Sequence, residues 1–125
     1  MERDVSGDWS GQYVYPDDGG ATFFSARLAE TAGRFTGAIE DADALHGPLR
    51  ASVDGRRSGS TVRFTKFYDG GSDAFDTVVY EGMLSQDGSE IEGRWTVPGS
   101  WSGRFLMLRA SEQKARAGRK QTARV

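Results

Sequence analysis

Lys66 is the residue on which chemistry would turn. It falls in phase with Val62, Phe64 and Tyr68, so a strand through this run puts an ammonium on an otherwise apolar face. An ammonium there needs a partner or loses its proton. Two partners fit: the carboxylate or phosphate of a ligand, or Asp41 of the chain itself. Around Lys66 the same periodicity gathers Tyr13, Tyr15, Tyr68, Tyr80 and Trp95, broad aromatic faces with a few polar tips. That mixture suits a small-molecule pocket, where area supplies affinity and sparse polar groups supply orientation. These six residues are the expected ligand-binding set.

Other chemistry is thinner. His46 is the one histidine, and a loop histidine of this kind is read as solvated rather than catalytic. Tyr80 and Glu81 are adjacent, hence on opposite faces of a strand, and form no acid/base pair. Asp69, Asp73 and Asp76 space oxygen ligands along a glycine-containing loop but lack the order of a calcium loop and its terminal glutamate. No metal site and no cofactor is therefore expected, catalytic residues stay unassigned, and whether the chain is an enzyme stays open.

The elements that position these residues are short strands. Turn clusters recur every ten or so residues in a chain with 17 glycines and three prolines. Eight strands are expected, over residues 7–15, 21–30, 35–42, 49–53, 61–69, 77–85, 90–97 and 101–110. Asp87-Gly88 and Ala32-Gly33 read as tight turns because glycine accepts positive φ, and the segment 54–60 reads as a further turn. Short connections between consecutive strands make an antiparallel meander.

One pattern closes it. An apolar residue, a glycine and another apolar residue alternate as Trp9-Gly11-Tyr13, Phe35-Gly37-Ile39, Tyr80-Gly82-Leu84, Ile91-Gly93-Trp95 and Trp101-Gly103-Phe105. Glycine weakens a strand interior by roughly 0.5–1 kcal/mol relative to alanine, so a shared phase needs a reason. A tightly coiled, narrow sheet supplies it, with a side-chain-free position beside each large ring. The expected fold is all-β: a closed eight-stranded antiparallel up-and-down barrel over 1–110, followed by a short basic C-terminal tail over 111–125.

Charge supports that division. Residues 1–110 carry 11 Lys/Arg against 17 Asp/Glu, whereas 111–125 carry five basic residues and one acidic. The outer wall is read as acidic and the tail as a solvated terminus, so a nucleic-acid partner is not expected. There is no cysteine, which fits a reducing compartment. No stretch approaches the roughly 20 apolar residues of a membrane span, and the start of the chain lacks a secretory pattern. The expected location is cytoplasmic, with no membrane partner.

Gly7-Asp8-Trp9 before the first strand resembles the Gly-x-Trp that opens many calycin-type barrels, the avidin-like and lipocalin-like families. The stretches 35–40 and 94–101 are similar to avidin-like ones. The resemblance implies a ligand-binding barrel with an arginine, Arg109 or Arg104, laid over Trp9 to close the floor. It does not imply biotin, because Gly11 and Ile39 stand where biotin binders carry an asparagine and a tyrosine.

Strand direction separates the two ends. The connections 16–20, 43–48, 70–76 and 98–100 meet at one end, the mouth; the tighter turns meet at the other. Trp9, Leu28, Phe35, Val62, Leu84, Ile91 and Met107 are expected to plug the tight end, leaving the mouth to bind a small hydrophobic or amphipathic molecule. The alternatives are a cyclase- or isomerase-type enzyme using the same cavity, and a structural or interaction module. Outward apolar residues such as Phe23, Phe67, Val79, Leu106 and Leu108 point to a homodimer or tetramer.

Overall fold

Period-two alternation does what elementary sterics require: each run of alternating residues becomes a strand with one buried and one exposed face. The structure is a computed structural model that describes residues 4–14, 20–41, 49–68, 77–99 and 102–110. The strands are β1 (Gly7–Val14), β2 (Ala21–Thr31), β3 (Arg34–Asp41), β4 (Leu49–Ser58), β5 (Thr61–Tyr68), β6 (Thr77–Leu84), β7 (Glu90–Thr96) and β8 (Ser102–Arg109). They pair antiparallel in chain order, and β8 returns to β1 from Trp9↔Arg109 to Val14↔Arg104. The sheet is a closed meander barrel, and closure removes both edges. Tyr15, His46, Asp69, Asp73, Asp76, Trp101 and the tail 111–125 lie outside the described residues.

One strand departs from expectation. β4 runs to Ser58 rather than ending at Val53, and the connection to β5 is only Gly59–Ser60, with Gly59 at φ 59°. Asp54-Gly55 imitates a turn signal but sits inside the ladder, Asp54 opposite Thr36 and Thr65. Gly55 is there for packing: a Cβ on it would meet the Phe35 ring and Phe64 Cβ.

The phased glycines divide by what they avoid. A Cβ on Gly11 would strike the Phe24 ring, whereas on Gly37, Gly82 or Gly93 it would strike the carbonyl of Arg27, Glu92 or Glu81 on the neighbouring strand. The first leaves room for a ring; the other three let adjacent strands approach and coil. Gly103 does both, because the Trp95 indole crosses it to donate to the Val14 carbonyl at 3.1 Å.

The tight end is sealed as expected. Trp9, Leu28, Phe35, Val62, Leu84, Ile91 and Met107 are all buried. Arg109, rather than Arg104, lies over the Trp9 ring at 4.4 Å and donates to the carbonyls of Gly88, Ser6 and Asp4 at 2.9, 2.6 and 2.7 Å. Trp9 Nε1 donates to the Val5 carbonyl, so the segment before β1 folds back under the floor. Buried Glu30 accepts from Arg57 at 2.8 Å and from the Val5 amide. Burial works to raise the Glu30 carboxyl, yet Arg57 and the Val5 amide hold it below the usual range. In the turn after β6, Asp87 accepts from Ser85 and Ser89, which lowers its carboxyl to about 2.

Outside, Phe23, Phe67 and Met83 are exposed. Gln12 stands between Phe23 and Leu106, Glu92 stands between Leu106 and Met83, and Phe67 lies on β5 beside Thr77 and Ser52. Polar and charged neighbours thus separate the exposed Phe23, Phe67 and Met83 from one another.

Candidate functional site

Above the floor the interior is aromatic. Phe64 stacks on Tyr80 with centroids 4.6 Å apart, and Phe105 meets both edge-on. Tyr13 packs against Trp95 at 5.9 Å and Phe24 at 6.0 Å. The next layer toward the mouth is polar: Asp41 ends β3, Tyr68 ends β5, and Lys66 lies two residues before it.

Lys66 and Asp41 are 1% and 2% exposed and form an ion pair, Nζ to Oδ2 at 3.2 Å. Tyr13 and Tyr68 donate to the same Oδ2, at 3.2 and 2.5 Å. Three donors on one oxygen identify it as the anionic end of the cluster. The ammonium lies over three ring faces, Tyr68 at 4.6 Å, Tyr13 at 4.9 Å and Tyr80 at 5.5 Å. Aromatic faces are negative, so a desolvated cation gains about 2 kcal/mol or more from such contacts. Burial lowers the proton affinity of Lys66, with Asp41 opposing. Burial also pushes the Tyr68 hydroxyl far up, reinforced by its hydrogen bond to Asp41 and that carboxylate's charge.

Of the two partners open to Lys66, the structure supplies Asp41. The lysine is not held out for a ligand anion. Oδ1 of Asp41, by contrast, is buried and, among the described residues, accepts no hydrogen bond. Most native buried polar atoms are paired, so an orphan oxygen on a carboxylate needs a cause.

Five of the six expected site residues are described. Tyr13, Lys66, Tyr80 and Trp95 form one packed layer, and Tyr68 stands half-buried at its upper edge; Tyr15 is the sixth and lies outside the described residues. Contacts run from Tyr80 through Lys66 and Tyr13 to Trp95, so these four pack on one another rather than line an open cavity. The prominent concavities lined wholly by described residues lie on the outer wall. One crosses β1 to β4 over Ser10, Ser25, Ala38 and Ser52, and the other lies over Arg34, Asp54, Gly55, Arg56, Arg63 and Thr65. Among the described residues no cluster of three metal-ligating side chains occurs.

Asp41 stands outside the expected ligand-binding set, although the sequence offers it as a partner for Lys66. It is in phase with Phe35, Gly37 and Ile39 on β3, so alternation alone turns it inward. Phase assigns a face, however, and not the residue met across the barrel.

Fold and site together define a closed meander barrel with a sealed apolar floor and a buried ion pair beneath its mouth. No family model matches the chain, and no curated protein matches it. A solved structure described as a de novo design of a fluorescence-activating β-barrel is similar, with a TM-score of 0.61 and 16% identity over 83% of this chain and 92% of that one. At that identity the likeness bears on the fold.

Proposed function

We propose that the barrel binds a small, partly hydrophobic, uncharged molecule at its mouth, through an N–H or O–H group donated to Asp41 Oδ1. The orphan oxygen carries this reading. A barrel built only to be stable would fill this layer with apolar residues, as it does at the floor. Here a carboxylate is buried with one oxygen saturated and the other, among the described residues, without a donor. Asp41 closes β3 at the mouth end, and half-buried Tyr68 beside it offers a flat face to an apolar body.

Electrostatics favours a neutral ligand. The Asp41–Lys66 pair has no net charge. An added anion would face Asp41, and an added cation would face Lys66, 3.2 Å from the other carboxylate oxygen. That a barrel of similar fold is described as fluorescence-activating supports a small-molecule role, and Arg109 over Trp9 accords with the calycin resemblance.

Matched probe pairs test this on the full chain: indole with 1-methylindole, 2-naphthol with 2-methoxynaphthalene, and benzoate with benzylamine as charged controls. Amide chemical shifts of residues 13, 41, 66 and 68 and the Asp41 carboxyl carbon report the site. The donor-bearing member should bind about tenfold or more tightly than its methylated twin, and should alone shift the Asp41 carboxyl. Equal affinities would overturn the donor contact and point to a bound water at Oδ1. No perturbation at these residues by any probe would overturn small-molecule binding and favour an interaction module.

A further inference from the structure

Strand register assembles a feature that sequence distance hides. On the outer wall Arg34 of β3 stands opposite Arg56 of β4, and Arg56 stands opposite Arg63 of β5. Three arginines thus occupy adjacent positions on consecutive strands, whose backbones are about 4.8 Å apart in the hydrogen-bonding direction. The row continues with Glu81 of β6, which pairs with Arg63 at 3.5 Å, then Arg94 of β7 and Arg104 of β8.

Like charges directly opposite in a ladder are unfavourable, and here two such pairs occur in succession. All three arginines are exposed, and among the described residues Arg34 and Arg56 have no ion-pair partner. The repulsion arises in a region, residues 1–110, where acidic residues outnumber basic ones, so the acidic wall carries a basic row. The three arginines also line a shallow concavity of the outer wall over the Gly55 backbone, with Thr65 and Asp54 on its mouth side.

From this convergence we infer that the Arg34–Arg56–Arg63 face binds a compact anion bearing two or three phosphates. Guanidinium forks match phosphate oxygens bidentately, and a dense charge offsets the mutual repulsion of the three. Compactness follows from the borders. Glu81 interrupts the row past Arg63, Thr31 of β2 follows Arg34 at its other end, and Asp54 stands two residues nearer the mouth on β4, so an extended polyanion running past Arg63 or toward the mouth would meet a carboxylate, whereas a short one need not. The face is on the outer wall and is independent of the mouth.

Titration of the full chain with inorganic triphosphate, pyrophosphate and phosphate, read on arginine Nε–H resonances and on amides 54–57 and 63–65, tests the assignment. Triphosphate should shift the Arg34, Arg56 and Arg63 resonances, bind more tightly than phosphate, and weaken as salt rises. Arg56→Thr should reduce triphosphate affinity about tenfold or more while leaving the thermal midpoint unchanged or higher, since it removes two like-charge neighbours. Arg104→Gln, beyond Glu81, should leave binding as it was. The inference falls if triphosphate shifts none of the three arginines, if an acidic peptide or an oligonucleotide binds there and triphosphate does not, or if Arg56→Thr lowers stability, which would make the row structural.

Discussion

Lys66 and Asp41 are coupled, and their coupling is measurable. Lys66→Met leaves a buried carboxylate with only tyrosine donors and should cost about 3–5 kcal/mol. Adding Asp41→Leu removes the orphaned charge, so the double variant should be more stable than Lys66→Met alone, although Tyr13 and Tyr68 then lose their acceptor. Urea unfolding of the four members of the cycle checks the non-additivity. Alkali gives a second readout. Tyr68 is raised above its unfolded value of about 10, so its contribution is intact below pH 10 and is lost as pH rises beyond it. Lys66 is lowered, so stability rises with pH up to the unfolded lysine value of about 10.5 and no further. Above that point Tyr68 governs, and unfolding free energy should decline with pH; Tyr68→Phe should flatten that decline. At this scale the sequence was legible for faces. It marked Lys66, Tyr13, Tyr80 and Trp95 as inward, but which of them touch depends on barrel circumference and register, which alternation does not encode.

At the scale of elements, turns were read well where glycine took positive φ and poorly where it did not. Ala32–Gly33, with φ of 52° and 82°, and Gly88, with φ of 77°, behave as their dipeptides promise. Asp54-Gly55 also pairs aspartate with glycine, yet Gly55 lies in a ladder against the Phe35 ring and Phe64 Cβ, a tertiary demand invisible in the local string. The segment before β1 was likewise not legible as structure, because what orders it is a residue at the far end of the chain. Arg109 ties it down by donating to the Ser6 and Asp4 carbonyls. Arg109→Met should lower stability by about 2–4 kcal/mol, from lost charged hydrogen bonds and the Trp9 contact. Hydrogen exchange should show protection falling first at the amides of Val5 and Ser6. Arg109→Lys should recover only part of this, since one ammonium cannot reproduce a planar fork.

At the scale of the molecule, closure was the most legible property, because the phased glycines answer to curvature and curvature belongs to the whole sheet. Gly93→Ala tests it: a Cβ there would drive into the Glu81 carbonyl and Gly82 Cα of β6, both backbone, so no rotamer relieves it. A loss of about 1–3 kcal/mol or more is expected, measured by chemical denaturation. Gly99→Ala is a counterpart with nothing near its Cβ, so any loss there comes from its φ of 76° alone. Occupancy of the interior was not legible. Inward phase assigns Tyr13 and Tyr80 to the lumen, but whether large rings leave a space or fill it depends on volume, and here they fill it up to the Asp41 layer.

An even number of strands in simple succession starts and finishes at the same rim, and Arg109 fastens the two together. Whatever sequence is carried past Ala110 therefore issues from the sealed base, a barrel's length from the opening. An anchor, tag or second domain attached there would hold the protein like a cup by its foot, leaving the bowl facing away and unobstructed.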